Sequence, residues 1–173
     1  GGSIMDYRME HKESQQFLAL VRALPNEITS DDNDHSIPDF WTECYEKNLI
    51  EPMQALRPEG KRDMYGLCSP LKDSETHFDY GIGIMLDEDT DQKELERFIK
   101  NGCSIWKTEP ADYAVFKCFG SDSSCLGETW NKFFNEFAPQ TGYMQTDDTD
   151  FEIYFENGES GLFCELWVPV KKN

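Results

Sequence analysis

The chain has 173 residues and a net charge of −18, from 34 acidic and 16 basic side chains. This excess of carboxylates repels phosphate backbones, so we expect no direct binding of DNA or RNA. It favours cationic ligands or basic protein surfaces, although the acidity can equally serve solubility alone. Hydrophobic residues make up 38% of the chain, which suffices for a folded core. With no membrane-length apolar run and no secretory signal, a cytoplasmic protein is expected.

The first half of the chain, about residues 6–86, has the pattern strand, helix, strand, strand. Residues 1–5 begin with Gly-Gly-Ser and are interpreted as a tag remnant or a disordered start. An apolar stripe with i, i+3, i+4, i+7 and i+8 spacing runs from Ile37 to Tyr45 and predicts an amphipathic helix. The predicted strands around this helix contain residues 17–21, 64–68 and 78–85.

The second half, about residues 102–173, repeats this order after a charged linker at about 87–101. A shift of 89 residues brings Trp41 onto Trp130 and Tyr45 onto Phe134. The strands predicted around the second helix contain residues 113–119, 151–155 and 161–170. Agreement in element order and aromatic position favours a tandem duplication over chance. The expected fold is therefore α+β, two β-α-β-β units related by a pseudo-twofold axis, with a ligand groove at their junction.

The closing strand carries a lone carboxylate, Glu165, between apolar neighbours. Strict alternation places it on one face with Phe163 and Trp167. A buried carboxylate needs a cationic or hydrogen-bonding partner, or its pKa rises. Glu165 could therefore meet a cationic ligand or act as a general acid or base, and the alternatives are a pairing with a lysine or arginine or a position on an exposed edge.

The pseudo-symmetric strand of the first half places Tyr80 opposite Glu165 in this alignment, and Phe78 opposite Phe163. Tyr80 would then reach the groove with its phenol, although a strand tyrosine more often serves ordinary packing. The helix aromatics are core residues in the simplest interpretation, but the same residue types build the aromatic boxes that bind cations. The aromatic residues predicted to contact a ligand are Trp41, Tyr45, Phe78, Tyr80, Tyr113, Trp130 and Trp167.

The remaining chemistry of the sequence argues against metals and cofactors. The six cysteines form no CxxC pair and show no zinc spacing, so we expect reduced thiols that pack as small apolar groups. The three histidines, His11, His35 and His77, stand in unrelated polar contexts. No glycine-rich phosphate loop occurs. We therefore predict no metal site and no cofactor.

Several phrases of the sequence, in this order, resemble the GyrI-like small-molecule-binding domains, the effector-binding domains of AraC- and MerR-type regulators. The resemblance extends from residue 7 to residue 172. The phrases are EPADYAVF at 109–116, LGETW at 126–130, TGY at 141–143, DFEIY at 150–154 and ELWVPVK at 165–171. The resemblance implies paired β-α-β-β units of the SH2-like split-barrel type with a ligand groove between them.

The resemblance also implies a function. In drug-sensing members a glutamate on the closing strand contacts cationic lipophilic compounds, and Glu165 matches that position. The chain looks like a stand-alone member without a DNA-binding segment, so the main expectation is multidrug-type binding of amphipathic, cationic or aromatic small molecules. One alternative is a hydrolase that detoxifies cyclopropane-containing genotoxins, with Glu165 and Tyr80 or Tyr113 as acid-base candidates. The other is a protein-interaction module such as a gyrase inhibitor, and binding without turnover is favoured over catalysis.

Overall fold

A computed structural model describes residues 5–26, 36–71 and 73–173. The predicted tag remnant, apart from Met5, lies outside the described residues, as does His35. The strands are β1 (Arg8–Lys12), β2 (Gln16–Pro25), β3 (Met64–Pro70), β4 (His77–Met85), β5 (Ser104–Lys107), β6 (Ala111–Phe119), β7 (Tyr143–Gln145), β8 (Asp150–Tyr154) and β9 (Leu162–Lys172). The helices are α1 (Ser36–Glu46), α2 (Ile50–Gln54), α3 (Gln92–Lys100), α4 (Ser124–Lys132) and α5 (Ala138–Thr141), with a π-helical turn, Phe133–Phe137, between α4 and α5.

The sheet is antiparallel and has the strand order β1-β6-β9-β8-β3-β4-β2-β5, with β7 paired to the end of β9. The two central strands, β3 and β8, come from different halves of the chain. On each side of this pair the strands follow in equivalent order, so β2-α1-β3-β4 is repeated by β6-α4-β8-β9. The predicted α+β fold with two β-α-β-β units is confirmed. The halves also exchange a strand, because β1 pairs with β6 while β5 pairs with β2.

One face of the sheet carries the helices and two apolar clusters, one for each half. In the first half Phe40 and Cys44 of α1 pack on the sheet, and in the second half Phe133 and Phe137 do so. These residues repeat at helical spacing, which is why the stripe predicted the helices. Tyr45 belongs to the same predicted stripe but is 62% exposed. The apolar stripe is thus wider than the core requires, and its edge faces the space between the halves.

The opposite face of the sheet is buried without a helix. Phe17 of β2 and Phe151 of β8 have ring centroids 6.2 Å apart, although β4 and β3 separate their strands. Three interstrand spacings in a flat sheet would hold them about 14 Å apart. The sheet is therefore strongly curved, and it closes on an aromatic cluster that includes Tyr113 and Trp167.

The segment predicted as a linker contains α3. Asp91 caps this helix, since its carboxylate accepts the backbone N–H of Lys93 at 2.9 Å. Leu95 packs into the core of the first half, and the chain leaves the helix through Gly102, whose φ of +112° lies in the region that favours glycine. The segment between the halves is thus packed against the first half.

Candidate functional site

A cavity of about 1280 Å³ lies between α1 and α4, above the central strands β3 and β8. Its position is that of the predicted groove at the junction of the two halves. Each half contributes an aromatic wall. The wall of the first half consists of Trp41, Tyr45 and Phe78, and that of the second half consists of Trp130, Phe134 and Phe163.

The floor of the cavity carries a buried carboxylate, Glu152 of β8, which is 6% exposed. The phenols of Tyr80 and Tyr154 each donate a hydrogen bond of 3.0 Å to its Oε1. Tyr80 is itself held in place, because its oxygen accepts the indole N–H of Trp41 at 2.8 Å. One carboxylate is therefore connected through Tyr80 to the aromatic wall of α1.

Gly66 of β3 makes room for this network. It is paired with Glu152 across the two central strands. A Cβ atom at position 66 would lie 2.8 Å from Oε1 of Glu152 and would also overlap the hydroxyl of Tyr80. Glycine is required here by the close approach of two side chains, rather than by backbone conformation.

Burial and hydrogen bonding act in opposite directions on Glu152. Loss of hydration raises its pKa, the bonds from Tyr80 and Tyr154 lower it, and the outcome is a pKa of about 7. The pKa of Tyr80 is raised well above its usual value by burial and by the charge of Glu152. Both phenols therefore remain protonated donors near neutral pH, where Glu152 changes its charge.

Asp150 precedes Glu152 by two residues and lines the same cavity. Burial, followed by the charge of Glu152, raises its pKa to about 8. Further acidic residues at the cavity are Asp122, Asp147 and Asp148. Among the described residues that line the cavity, none is a lysine, arginine or histidine. In the described part of the chain, neither Glu152 nor Asp150 forms an ion pair.

The structure brings five of the predicted ligand contacts together. Four of them line the cavity: Trp41, Tyr45, Phe78 and Trp130. The fifth, Tyr80, lies beneath the cavity and donates a hydrogen bond from its hydroxyl to Glu152. Phe134 also lines it, as the shift of 89 residues between Tyr45 and Phe134 implies. The pairing of the two helices across a common groove therefore agrees with the sequence alignment of their aromatic residues.

Glu165 lies on the opposite face of the sheet, away from the cavity. It is 5% exposed, and its carboxylate accepts hydrogen bonds from both terminal nitrogens of Arg8, each at 2.9 Å, and from the indole N–H of Trp167 at 3.1 Å. The expected alternative, a pairing with a basic residue, is the observed arrangement. Arg8 lies on β1, which β6 separates from β9, so inspection of the closing strand alone could not identify it.

Tyr113 and Trp167 also lie on that opposite face, within 5.6 Å of each other between ring centroids. Burial raises the pKa of Tyr113 to about 12, and its hydroxyl has no hydrogen-bond partner among the described residues. The prediction of these residues as groove contacts is corrected by their position. Both belong to the cluster enclosed by the curved sheet.

The sequence alignment of the two closing strands was wrong by one residue. It matched Tyr80 with Glu165, but Tyr80 faces the helices whereas Glu165 pairs with Ile153 and faces the enclosed cluster. An irregularity in the pairing of β6 with β9 lets Phe163 turn toward the cavity, although strict alternation grouped it with Glu165. A shift of one residue exchanges the two faces of a strand.

Glu152, Asp150 and Tyr154 were missed as site residues. Their spacing of two places all three on one face of β8, while Phe151 and Ile153 face the other side. That alternation is visible in the phrase DFEIY, and it would have indicated two carboxylates beside a phenol. The residues that the structure describes contain no group of three or more His, Cys, Asp or Glu side chains that could hold a metal ion. No helix there is long and apolar enough to cross a membrane.

The chain matches a family of effector-binding proteins. The model of the Cass2 family, described as integron-associated effector binding protein, matches residues 8–170. None of the curated proteins matches the chain.

Solved structures share the fold along almost the whole chain. SAV2435 bound to tetraphenylphosphonium has a TM-score of 0.75 and 19% identity, over 96% of this chain and 94% of that one. An integron cassette protein from the mobile metagenome of Vibrio cholerae has a TM-score of 0.62 and 18% identity, over 95% of each chain. A hydrolase from Listeria innocua has a TM-score of 0.54 and 10% identity, over 98% of this chain and 94% of that one.

Proposed function

Because the chain belongs to the Cass2 family of integron-associated effector-binding proteins, we propose that its cavity binds amphipathic cations with aromatic bodies. The family membership confirms the predicted resemblance to GyrI-like effector-binding domains and supports small-molecule binding. The cationic character of the ligand and the residues that contact it are the content of the proposal. In this proposal Glu152, rather than Glu165, is the carboxylate that meets the ligand.

The observation that carries the proposal is the environment of Glu152. Its oxygen receives two neutral phenol donors, and no basic side chain lines the cavity among the described residues. A buried carboxylate without a cation is costly to ionise, as its raised pKa reflects. A ligand that brings its own positive charge would remove that cost.

The two aromatic walls complement this charge. Trp130 stacks on Phe134 with centroids 5.8 Å apart, and Trp41 lies 6.5 Å from Tyr45 on the facing helix. Ring faces attract cations by about 0.5–2 kcal/mol each, and they also cover the apolar body of a ligand. Tetraphenylphosphonium, which accompanies SAV2435 in its structure, combines a permanent positive charge with four phenyl rings. It is therefore a suitable first probe.

The test is titration calorimetry with tetraphenylphosphonium and with tetraphenylborate, which has nearly the same shape and the opposite charge. We expect the wild type to bind the cation and to bind the anion far more weakly. Glu152→Gln should weaken binding of the cation at least about tenfold, the effect of one charge pair in a partly buried site.

Glu165→Gln is the matched control, because it changes the same residue type on the other face of the sheet. It should leave the affinity for tetraphenylphosphonium unchanged. The assignment to Glu152 fails if Glu152→Gln binds the cation as tightly as wild type. If Glu165→Gln alone abolishes binding, the original assignment to Glu165 is restored.

A second candidate function, hydrolysis, is favoured by one feature of the same carboxylate. With a pKa of about 7 and two phenols within hydrogen-bond distance, Glu152 has the properties of a general acid or base near neutral pH. The Listeria innocua hydrolase provides a relative in fold for this activity. Product analysis after prolonged incubation with cyclopropane-containing electrophiles would separate turnover from binding. Turnover lost in Glu152→Gln would support hydrolysis, and stoichiometric binding alone would exclude it for those compounds.

A further inference from the structure

Asp150 is a second, half-buried carboxylate of the cavity, and the binding of a single cation at Glu152 makes no use of it. We propose that the cavity selects aromatic dications, with Glu152 neutralising one positive charge and Asp150 the other. This inference rests on the proposed function, because it assigns a second charge-binding position within the same cavity.

The geometry of β8 sets the spacing between the two carboxylates. Asp150 and Glu152 are two residues apart on one strand, so their side chains leave the same face about 6.7 Å apart. Both line the cavity between the aromatic walls. A rigid dication with a similar distance between its charges could therefore contact both carboxylates at once.

The surroundings of Asp150 consist of weak, neutral hydrogen-bonding groups. The amide of Gln145 donates to its Oδ2 at 3.4 Å, and the thiol of Cys68 lies beside it on the neighbouring strand. A carboxylate held only for structure would be expected to have strong donors or a basic partner, as Glu165 has in Arg8. Asp150 has no basic partner among the described residues; its remaining donors are a backbone N–H and the Cys68 thiol, and it competes with Glu152 for ionisation.

The cavity is large enough to hold a ligand with two charged rings. Pockets for drug-sized ligands commonly enclose about 300–1,000 Å³, and this cavity of about 1280 Å³ exceeds that range. Its two aromatic walls face each other across the strand that carries both carboxylates. A planar aromatic body between the walls would lie above β8, with room for a charge at each end.

The experiment compares two pyridinium compounds of nearly equal size. Methyl viologen is a planar dication with one charge on each ring, and N-methyl-4-phenylpyridinium has one of these rings replaced by phenyl. We expect wild type to bind the dication at least about tenfold more tightly at low ionic strength, because a second charge pair forms. Asp150→Asn should remove this advantage while leaving the affinity for the monocation within about twofold.

Glu152→Gln provides the complementary variant, and it should weaken binding of both compounds. Equal affinity of wild type for the two pyridiniums would overturn the second-site inference but leave the proposed function standing. Retention of the dication's advantage in Asp150→Asn would refute the role of Asp150. If neither these compounds nor tetraphenylphosphonium binds, the proposed function fails and the inference falls with it.

A measurement on wild type alone tests the same inference without relying on a folded variant. Each carboxylate that meets a cation must first release its proton, and below pH 7 both are mostly protonated. The logarithm of the affinity should therefore rise with pH with a slope approaching two for methyl viologen and one for N-methyl-4-phenylpyridinium. A slope of one for both compounds contradicts the inference. The other titratable groups that interact with these carboxylates are Cys68, Tyr80, Tyr113, Cys118, Tyr154 and Cys164, and Asp122, Asp147 and Asp148 line the same cavity.

These surrounding groups do not reproduce the predicted difference. The two probes carry permanent charges, so neither titrates, and the difference between their slopes counts the protons that the second charge displaces from the protein. Burial raises the pKa of the Cys68 thiol and of the Tyr80 phenol well above neutrality. The difference between the two slopes below pH 7 therefore reports the second carboxylate.

Discussion

Tyr80 is predicted to control the charge of Glu152, and replacing it with phenylalanine tests this control. The substitution removes the hydrogen bond of 3.0 Å to Oε1 but keeps the ring that fills the core. A hydrogen bond to a charged group contributes about 1.5–3 kcal/mol, which corresponds to about 1–2 pKa units. Because the lost bond favours the ionised form, the pKa of Glu152 should rise from about 7 to about 8–9 in Tyr80→Phe.

The expected loss of affinity follows from the ionised fraction. At pH 7 about half of the wild-type protein has an ionised Glu152. In Tyr80→Phe this fraction falls to between about one tenth and one hundredth, so binding of tetraphenylphosphonium should weaken about 5- to 50-fold at that pH. The ligand has a permanent charge and does not titrate. At pH 10 the variant should therefore regain nearly the affinity of wild type.

Calorimetry across pH 6–10 makes this prediction specific. Tyr154→Phe is the matched variant, because it removes the second phenol on the same oxygen at the same distance of 3.0 Å without disturbing the bond from Trp41. Its affinity profile should also shift to higher pH. An affinity loss in Tyr80→Phe that stays constant from pH 6 to pH 10 would refute the reasoning, since it would indicate a loss of shape rather than of charge.

Three further predictions concern the same elements. Gly66→Ala should weaken tetraphenylphosphonium binding and cost about 1–3 kcal/mol of unfolding free energy in urea denaturation, because its Cβ overlaps the hydrogen-bond network. Gly127→Ala, whose Cβ meets nothing within 4 Å on α4, should instead be neutral or stabilising; equal losses in both variants would contradict the steric argument. The carboxyl pKa values of Glu152 and Asp150 are raised in the folded state, so their contribution to stability is present at low pH and is lost as pH rises from about 4 to 8. Between pH 5 and pH 8, the unfolding free energy measured in urea should therefore fall less in the double variant Glu152→Gln, Asp150→Asn than in wild type, and an equal fall would refute this. Glu165→Gln should cost about 1–2 kcal/mol at pH 7, because it weakens two bonds to a half-exposed arginine; an unchanged urea midpoint would show that the pair contributes nothing.

The repeat of the fold could be predicted because its evidence is local. Each amphipathic helix has a period that marks its apolar stripe, and each strand has an alternation that marks its extent. The offset of 89 residues joined Trp41 to Trp130 and Tyr45 to Phe134, and all four side chains line the cavity. The groove and its aromatic walls were therefore accessible from sequence patterns alone.

The alternation of β8 shows two carboxylates on one face, but the sequence alone could not decide whether these or Glu165 lie at the cavity. β9 is apolar on both faces, so its alternation separates Glu165 from its neighbours without indicating which face meets the helices. That choice depends on strand register and on the irregularity near Phe163, and both are properties of pairing between distant segments. The partner, Arg8, is 157 residues away along the chain.

Glu165 and Glu152 have nearly the same burial on one sheet, and their partners determine their different chemistry. Glu165 meets a guanidinium, so its charge is neutralised within the fold and it contributes to structure. Glu152 meets only phenols, which stabilise a charge without cancelling it. Its neutralisation must therefore come from a proton or from a ligand. Because protonation occurs near pH 7, a cation needs little free energy to displace the proton at neutral pH, and in the proposed function this is how a carboxylate on the floor of an aromatic cavity would select for positive charge.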